Sequence, residues 1–194
     1  NTSYTMPVAE TASTFCENLV LNHSLKNASK DEQILLLENS ISDLAQIVVD
    51  ISSRFFFEKE VFNQRKETFL FSDDLQKIMI ESQKRTYGDG IDETTLHPYM
   101  WICKPHYYSS GLSYYNFPYA FGGLFALGLY GKYAEEGENF VPKYRKLLQA
   151  TTTSQSEDVA KIAGINLRDA NFWASSLKIA EDRIDQWIAL TSVK

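Results

Sequence analysis

The feature that most constrains this fold is a long stretch without helix breakers. No glycine or proline occurs in residues 31–71, and such a stretch favours an uninterrupted helix. The apolar residues within it recur at the spacing of a helix face; they are Ile34, Leu37, Ile41, Leu44, Val48, Ile51 and Phe55. This pattern predicts a continuous or gently bent helix that runs through Phe62 and breaks near Ser72.

The remaining segments also favour helices, with one interruption. Helical periodicity and end signals predict further helices over residues 7–22, 119–135, 140–150, 156–163 and 169–190. The buried face of the first of these is predicted to consist of Val8, Ala12, Phe15, Cys16 and Leu19. Gly164 is expected to stop one helix and Asp169 to start the next. Residues 87–118 contain many prolines and glycines, so an irregular Tyr- and Gly-rich loop with a short pair of strands is expected there.

No linker or repeat divides the chain, so residues 1–194 are predicted to form one mainly α-helical domain. The helix predicted over residues 119–135 contains Gly122, Gly123, Gly128 and Gly131. Glycine lowers helix propensity but allows a neighbouring backbone to approach closely. A tight contact with another helix is therefore expected.

Composition and charge narrow the classes of function. The chain is 44% hydrophobic, which is enough for a substantial core. Its formal net charge of -6 offers no broad basic surface, so nucleic acid and anionic membranes are not expected as partners. No apolar segment is long and unbroken enough to span a membrane, and residues 1–7 lack the pattern of a secretory signal. Cys16 and Cys103 indicate neither a disulfide framework nor a cysteine zinc site, and a cytoplasmic location is expected.

Two carboxylates near the start of the chain form the first candidate site. Glu10 and Glu17 are two turns apart on the predicted first helix, so both are expected on one face. Such residues are ordinarily solvated acids on an amphipathic helix. The alternative is a metal site, because a carboxylate oxygen can bind zinc beside two imidazoles. The residues alone leave both interpretations open.

Residues 105–119 form the second candidate site. This segment contains His106 and several tyrosines, namely Tyr107, Tyr108, Tyr114, Tyr115 and Tyr119. Phenol and imidazole groups can donate hydrogen bonds to an oxyanion as it forms, and the small residues at 109–111 allow a close approach to a ligand. The alternative is that these aromatic residues pack between helices with their hydroxyls at the surface.

Three segments resemble the oligoendopeptidase F family of zinc metallopeptidases, which includes relatives of thimet oligopeptidase. Residues 6–17 (MPVAETASTFCE) are similar to the segment that follows the family's H-E-x-x-H helix. Residues 105–122 (PHYYSSGLSYYNFPYAFG) resemble the family's substrate loop, and residues 163–173 (AGINLRDANFW) resemble its usual C-terminal segment. The three segments follow the family's order along nearly the whole chain.

The resemblance implies a mainly helical fold and roles for particular residues. Glu10 matches the third zinc ligand of the family. Glu17 matches a second acidic position that supports the site without binding the metal. The residues that would stabilise the tetrahedral intermediate or hold the peptide are His106, Tyr115, Tyr119 and Tyr108.

The sequence contains no H-E-x-x-H motif. The resemblance therefore implies that this chain is the C-terminal part of a larger catalytic domain, and that by itself it is inactive and binds zinc weakly or not at all. The expected partners are short peptides and the upstream part of the same polypeptide. A rival hypothesis is a non-catalytic helical module that binds peptides or acts as a scaffold. An H-E-x-x-H motif encoded immediately upstream would decide for the peptidase.

Overall fold

α-Helices account for most of the structure, a computed structural model that describes residues 4–111 and 113–192. The helices are α1 (Thr11–Asn27), α2 (Lys30–Ala45), α3 (Ile51–Gln64), α4 (Ser72–Tyr87), α5 (Phe117–Glu136), α6 (Val141–Ala150), α7 (Ser156–Ile162) and α8 (Ala170–Thr191). No strand occurs in these residues, and the predicted mainly α-helical fold is confirmed. None of the helices in the described ranges is both long and apolar enough to cross a membrane.

Residues 30–64 are helical throughout, as the absence of helix breakers predicted. α2 leads into a π-helical segment, Gln46–Asp50, which continues directly as α3. The next helix, α4, begins at Ser72, where a break was predicted. The carboxylate of Asp74 caps this helix, because it accepts a hydrogen bond from the backbone N–H of Phe71 at 3.0 Å.

The irregular loop predicted for residues 87–118 is confirmed over most of the part that the structure describes, but that part contains no strand pair. Short 3-10 turns lie at Gly88–Gly90, Glu93–Thr95 and Pro105–Tyr108. In the second of these turns, the carboxylate of Asp92 accepts a hydrogen bond from the N–H of Thr94 at 2.9 Å. Local bonds of this kind satisfy backbone groups that would otherwise need a partner strand.

The described residues divide into two compact units. The first contains the chain up to Leu44 and again from Phe121 onwards, and the second contains Ala45–Ala120. The first residues of α5, 117–120, therefore belong to the second unit. Each unit has its own apolar core. Folding of residues 1–194 as one domain stays a prediction.

The core of the second unit forms between α3 and α4. Phe57 of α3 packs with Ile78 and Met79 of α4. Two aromatic residues of the following loop cover this core: the Phe57 ring centre lies 6.5 Å from that of Trp101 and 5.2 Å from that of Tyr107. Apolar contacts therefore attach the irregular loop to α3.

The first unit buries only part of the predicted face of the first helix: Val8 and Phe15 are buried and Leu19 packs against the core. The helix was expected to begin near Pro7, but a 3-10 turn occupies Met6–Val8 and α1 begins at Thr11. Among its residues, Thr11, Phe15 and Asn18 are buried. Ala12 and Cys16, which were expected to be buried, are exposed. The buried face is thus partly polar.

Arg183 of α8 explains why a polar residue of α1 is buried. Its guanidinium donates hydrogen bonds to Asn18 Oδ1 at 2.5 Å and to Ser40 Oγ of α2 at 2.9 Å. Arg183 is itself buried, and burial lowers the pKa of its guanidinium. Hydrogen bonds to neutral acceptors offset part of the cost of burying the charge. Arg183 therefore links α1, α2 and α8 within the first unit.

The predicted tight helix contact is confirmed where α5 meets α8. A Cβ atom on Gly128 would lie 2.5 Å from two ring atoms of Phe172 and 2.6 Å from Oγ of Ser176. A Cβ atom on Gly131 would lie 3.2 Å from the end of the Ile179 side chain. The two helices can pack this closely only because no side chain projects from position 128.

Replacing Gly128 with alanine should destabilise the protein. Alanine is better than glycine in a helix by roughly 0.5–1 kcal/mol, but overpacking of a close contact costs about 1–3 kcal/mol. We therefore expect a net loss of up to about 2 kcal/mol in the free energy of unfolding. Urea denaturation followed by circular dichroism measures it.

The matched control is Gly131→Ala, because only the flexible end of Ile179 lies near that position. This variant should stay within about 0.5 kcal/mol of the wild type. A Gly128→Ala variant as stable as Gly131→Ala would show that α5 and α8 do not need the glycine at position 128.

Candidate active site

The first predicted pair of carboxylates lies at the start of α1, in the first unit. Glu10 occupies the N-cap position rather than the helix itself, with φ -96° and ψ 14°. Its Oε2 accepts a hydrogen bond from Ser13 Oγ at 2.6 Å. Glu17 lies further along α1, and both glutamates are exposed. The carboxylate of Glu10 is therefore accessible to a ligand. The two glutamates were predicted to lie within one helix, but Glu10 precedes α1 and only Glu17 lies within it.

The described residues do not by themselves form a zinc site. Within residues 4–111 and 113–192, no group of three His, Cys, Asp or Glu side chains could hold a metal ion. Catalytic zinc sites in proteins use three protein ligands and one water. Among the described residues, Glu10 is the carboxylate that the sequence indicated as a possible metal ligand.

The second predicted cluster lies in the second unit, and three of its four residues contact one another. The ring centres of His106 and Tyr115 are 4.6 Å apart. The ring of Tyr119 lies 6.4 Å from that of His106 and 5.6 Å from that of Tyr115. Tyr108, the fourth residue, is 62% exposed. We call the three rings of His106, Tyr115 and Tyr119 the ring cluster.

The imidazole of the ring cluster is held by a short turn. His106 lies in the 3-10 turn Pro105–Tyr108, where the fixed φ of Pro105 suits the first position of the turn. Its Nδ1 is buried and has no hydrogen-bond partner among the described residues. This imidazole nitrogen therefore has unused hydrogen-bonding capacity.

Tyr107, the neighbour of His106, is fixed to α3. Its hydroxyl donates a hydrogen bond to the backbone carbonyl of Arg54 at 3.1 Å. Burial, followed by the nearby carboxylate of Glu58, raises the pKa of the Tyr107 phenol well above its usual value. Tyr107 therefore stays neutral at physiological pH, where it acts as a hydrogen-bond donor and a structural anchor.

Tyr114, the neighbour of Tyr115, is fixed to the same helix. Its φ of 57° lies in the left-handed region, which residues with a side chain rarely adopt. Its backbone N–H donates to Oε1 of Glu58 at 2.5 Å. Its ring centre lies 5.6 Å from that of Phe55 and 5.2 Å from that of Phe62. Four groups of α3 therefore hold the loop on both sides of the ring cluster. They are the carbonyl of Arg54, the carboxylate of Glu58 and the rings of Phe55 and Phe62.

Sequence reasoning missed the buried charged residues of α3 and of the π-helical segment before it. Asp50 and Arg54 form an ion pair with both side chains about one-tenth exposed, at 11% and 10%, and Glu58 is 7% exposed. These residues follow one another at four-residue spacing, which puts them on one helix face. That spacing could have indicated a buried charged face, but it is also typical of exposed ion pairs on a helix surface.

Tyr107→Phe should lower the stability of the protein by about 0.5–1.5 kcal/mol at neutral pH, because it removes one partly buried hydrogen bond. A raised folded-state pKa means that the neutral phenol contributes stability below the ordinary tyrosine pKa of about 10, and that this contribution is lost as the pH rises further. The difference in free energy of unfolding between wild type and Tyr107→Phe should therefore become smaller above about pH 10.

Urea denaturation at several pH values measures this difference. Tyr108→Phe is the control, because the adjacent side chain of Tyr108 is exposed. If Tyr107→Phe and Tyr108→Phe have the same stability at neutral pH, the hydroxyl of Tyr107 does not anchor the loop.

Comparison with known proteins identifies the relatives of this chain. Residues 1–179 match the family model described as Peptidase family M3. The oligopeptidase PepF of Bacillus subtilis (strain 168) is 26% identical over 186 residues, which cover 95% of this chain and 27% of that protein. The chromosomal oligoendopeptidase F of Lactococcus lactis subsp. cremoris is 26% identical over 185 residues, which cover 94% of this chain and 30% of that protein.

A solved structure has the same fold. The crystal structure of oligoendopeptidase-F from Enterococcus faecium matches with a TM-score of 0.85 at 23% sequence identity, and covers 96% of this chain and 36% of that one. The chain spans 27% and 30% of the length of the two curated relatives. The resemblance that the three sequence segments indicated is therefore confirmed at the level of the family.

Proposed function

Because the chain belongs to Peptidase family M3, we propose that it is the C-terminal part of the catalytic domain of a zinc-dependent oligoendopeptidase that hydrolyses short peptides. The observation that carries the proposal is the ring cluster, in which His106, Tyr115 and Tyr119 lie within 6.4 Å of one another. Hydrogen-bond donors grouped in this way are suited to charge that develops on a carbonyl oxygen.

Glu10 is proposed as the carboxylate that this chain contributes to the metal. It is exposed and lies at the N-cap of α1, and carboxylate oxygens are ordinary zinc ligands. Bound zinc would supply an activated water. Glu17 is proposed to support the site without binding the metal. Since one carboxylate cannot replace three ligands and a general base, the isolated chain is expected to be inactive and to hold zinc weakly.

The residues of the second unit would act on the peptide. The hydroxyl of Tyr115 or Tyr119 and the imidazole of His106 would donate hydrogen bonds to the carbonyl oxygen of the scissile bond as negative charge develops on it. Tyr108 is exposed and is the remaining candidate for this role. The proposed partners are short peptides and the upstream part of the polypeptide, and a cytoplasmic location remains part of the proposal.

Glu10→Ala, made in a full-length peptidase that contains this chain, should remove most of the zinc and most of the activity. Changes to groups that only support metal ligands already cost about 10- to 100-fold in metal affinity or activity, so loss of a ligand should cost at least as much. Zinc content after dialysis and hydrolysis of a quenched fluorescent peptide are measured together.

Glu38→Gln is the control for this experiment, because Glu38 is an exposed acid of the same unit on α2. It should keep normal zinc and normal turnover. Full zinc occupancy in a folded Glu10→Ala protein would show that Glu10 is a surface acid. A full-length protein that binds peptides without cleaving them would favour the rival helical binding module.

Tyr115→Phe and His106→Ala should lower turnover without removing zinc. The loss of one donor to a developing oxyanion typically costs on the order of 100-fold in kcat. A contact made only in the transition state lowers kcat and kcat/KM by similar factors. Steady-state kinetics on these variants, with zinc content checked for each, measure the effect.

Tyr108→Phe and Tyr119→Phe complete the series, since they show which phenol serves as the donor. If all four variants keep kcat near the wild-type value, the ring cluster has only a packing role. The family assignment would survive that result, but the proposed mechanism would not.

A further inference from the structure

Glu58 of α3 is a buried carboxylate without a role in the mechanism proposed above. It is 7% exposed, and burying a charged group is costly unless hydrogen bonds compensate. The other buried charges of this helix face, Asp50 and Arg54, pair with each other. Oε1 of Glu58 instead accepts from a backbone group, the N–H of Tyr114, and the buried side chain of Asn116 lies near the same carboxylate.

The hydrogen bond to Glu58 stabilises an unfavourable backbone conformation. A residue with a side chain in the left-handed region costs roughly 1–2 kcal/mol relative to its normal conformations, and Tyr114 has a φ of 57°. Such conformations persist only where the surroundings hold them. Here a charge-assisted bond of 2.5 Å and two ring contacts, with Phe55 and Phe62, all come from α3.

The bond between Glu58 and Tyr114 affects the ring cluster because of where Tyr114 lies in the chain. Tyr114 directly precedes Tyr115, whose ring lies 4.6 Å from that of His106. A return of Tyr114 to an ordinary φ would turn the Cα–Cβ direction of Tyr115 away from its present one. On the other side of the ring cluster, the hydroxyl of Tyr107, the chain neighbour of His106, donates to the carbonyl of Arg54. α3 therefore holds the chain neighbours of both residues.

We propose that Glu58 is a positioning residue: its carboxylate holds the peptide of Tyr114 in the left-handed conformation and thereby places Tyr115 against His106. The inference rests on the proposed peptidase function, because the purpose of this placement is the donation of hydrogen bonds to substrate. Glu58 itself does not touch the substrate.

The side chain of Glu58 can be replaced with and without its acceptor. Glu58→Gln keeps a carbonyl oxygen that can accept from the N–H of Tyr114, whereas Glu58→Met has a similar volume and no comparable acceptor. Glu60→Met is the matched control, because Glu60 is an exposed glutamate two residues further along α3.

Two readouts are measured in a full-length peptidase that contains this chain. The first is hydrogen–deuterium exchange of residues 109–119, which does not depend on activity. The second is steady-state kinetics with zinc content. In Glu58→Met, exchange should rise and kcat should fall on the order of 10- to 100-fold, with zinc unchanged and KM changed less than kcat. Glu58→Gln should restore both readouts to near wild type, and Glu60→Met should not alter either.

The inference is overturned if Glu58→Met exchanges and turns over like the wild type, or if Glu58→Gln is as impaired as Glu58→Met. If Glu58→Met fails to fold, Glu58→Asp is used instead. Its side chain keeps a carboxylate but is one methylene shorter, so the acceptor lies further from the N–H of Tyr114. This variant should lower kcat with KM nearly constant, and unchanged kcat would overturn the inference.

The two readouts also separate this inference from the proposed function. If Glu58→Met raises exchange, Glu58→Gln restores it and the wild type cleaves no peptide, then the positioning role stands and the peptidase function fails. If Tyr115→Phe lowers kcat and Glu58→Met does not, the peptidase function stands and the positioning role fails.

Discussion

The hydrogen bond between Glu58 and the backbone of Tyr114 is the contact on which the candidate site depends. Local turns satisfy many backbone groups of the loop before α5, and contacts with α3 fix this loop on both sides of the ring cluster. On α3, the carboxylate of Glu58 accepts from the backbone N–H of Tyr114, and the carbonyl of Arg54 accepts from the hydroxyl of Tyr107. The positions of the His106 and Tyr115 rings are therefore set by a helix that contributes no side chain to the ring cluster.

Buried polar contacts have a similar part in the first unit. Apolar burial is not directional, so it favours compact packing without choosing which residues meet. The bonds of Arg183 to Asn18 and Ser40 are directional, and they fix α8 against α1 and α2. A steric requirement acts at position 128, where only glycine leaves room for the close approach of α5 and α8. Both units thus combine an apolar core with a few specific polar or steric contacts.

The sequence predicted local features well and long-range contacts poorly. Helices in residues 30–64, the break before Ser72 and the cap at Asp169 follow from neighbouring residues, and the structure has them. The prediction for the buried face of α1 found Phe15 but missed Asn18, because asparagine counts as a polar surface residue until its partner is known. That partner, Arg183, lies 165 residues away in the chain, and no periodicity within α1 can reveal it.

By itself, the sequence determined where most helices form, which helix has glycines that permit a close contact, and which histidine, tyrosines and glutamates are candidates for chemistry. These properties depend on residue type and on spacing within a segment. Only the tertiary structure decided that Tyr115 meets His106, that Tyr114 adopts a left-handed conformation, and that Glu58 is buried. The physical reason is that the loop and α3 meet through residues 53 and 56 positions apart in the chain, and the energy of such contacts is not encoded in either segment alone.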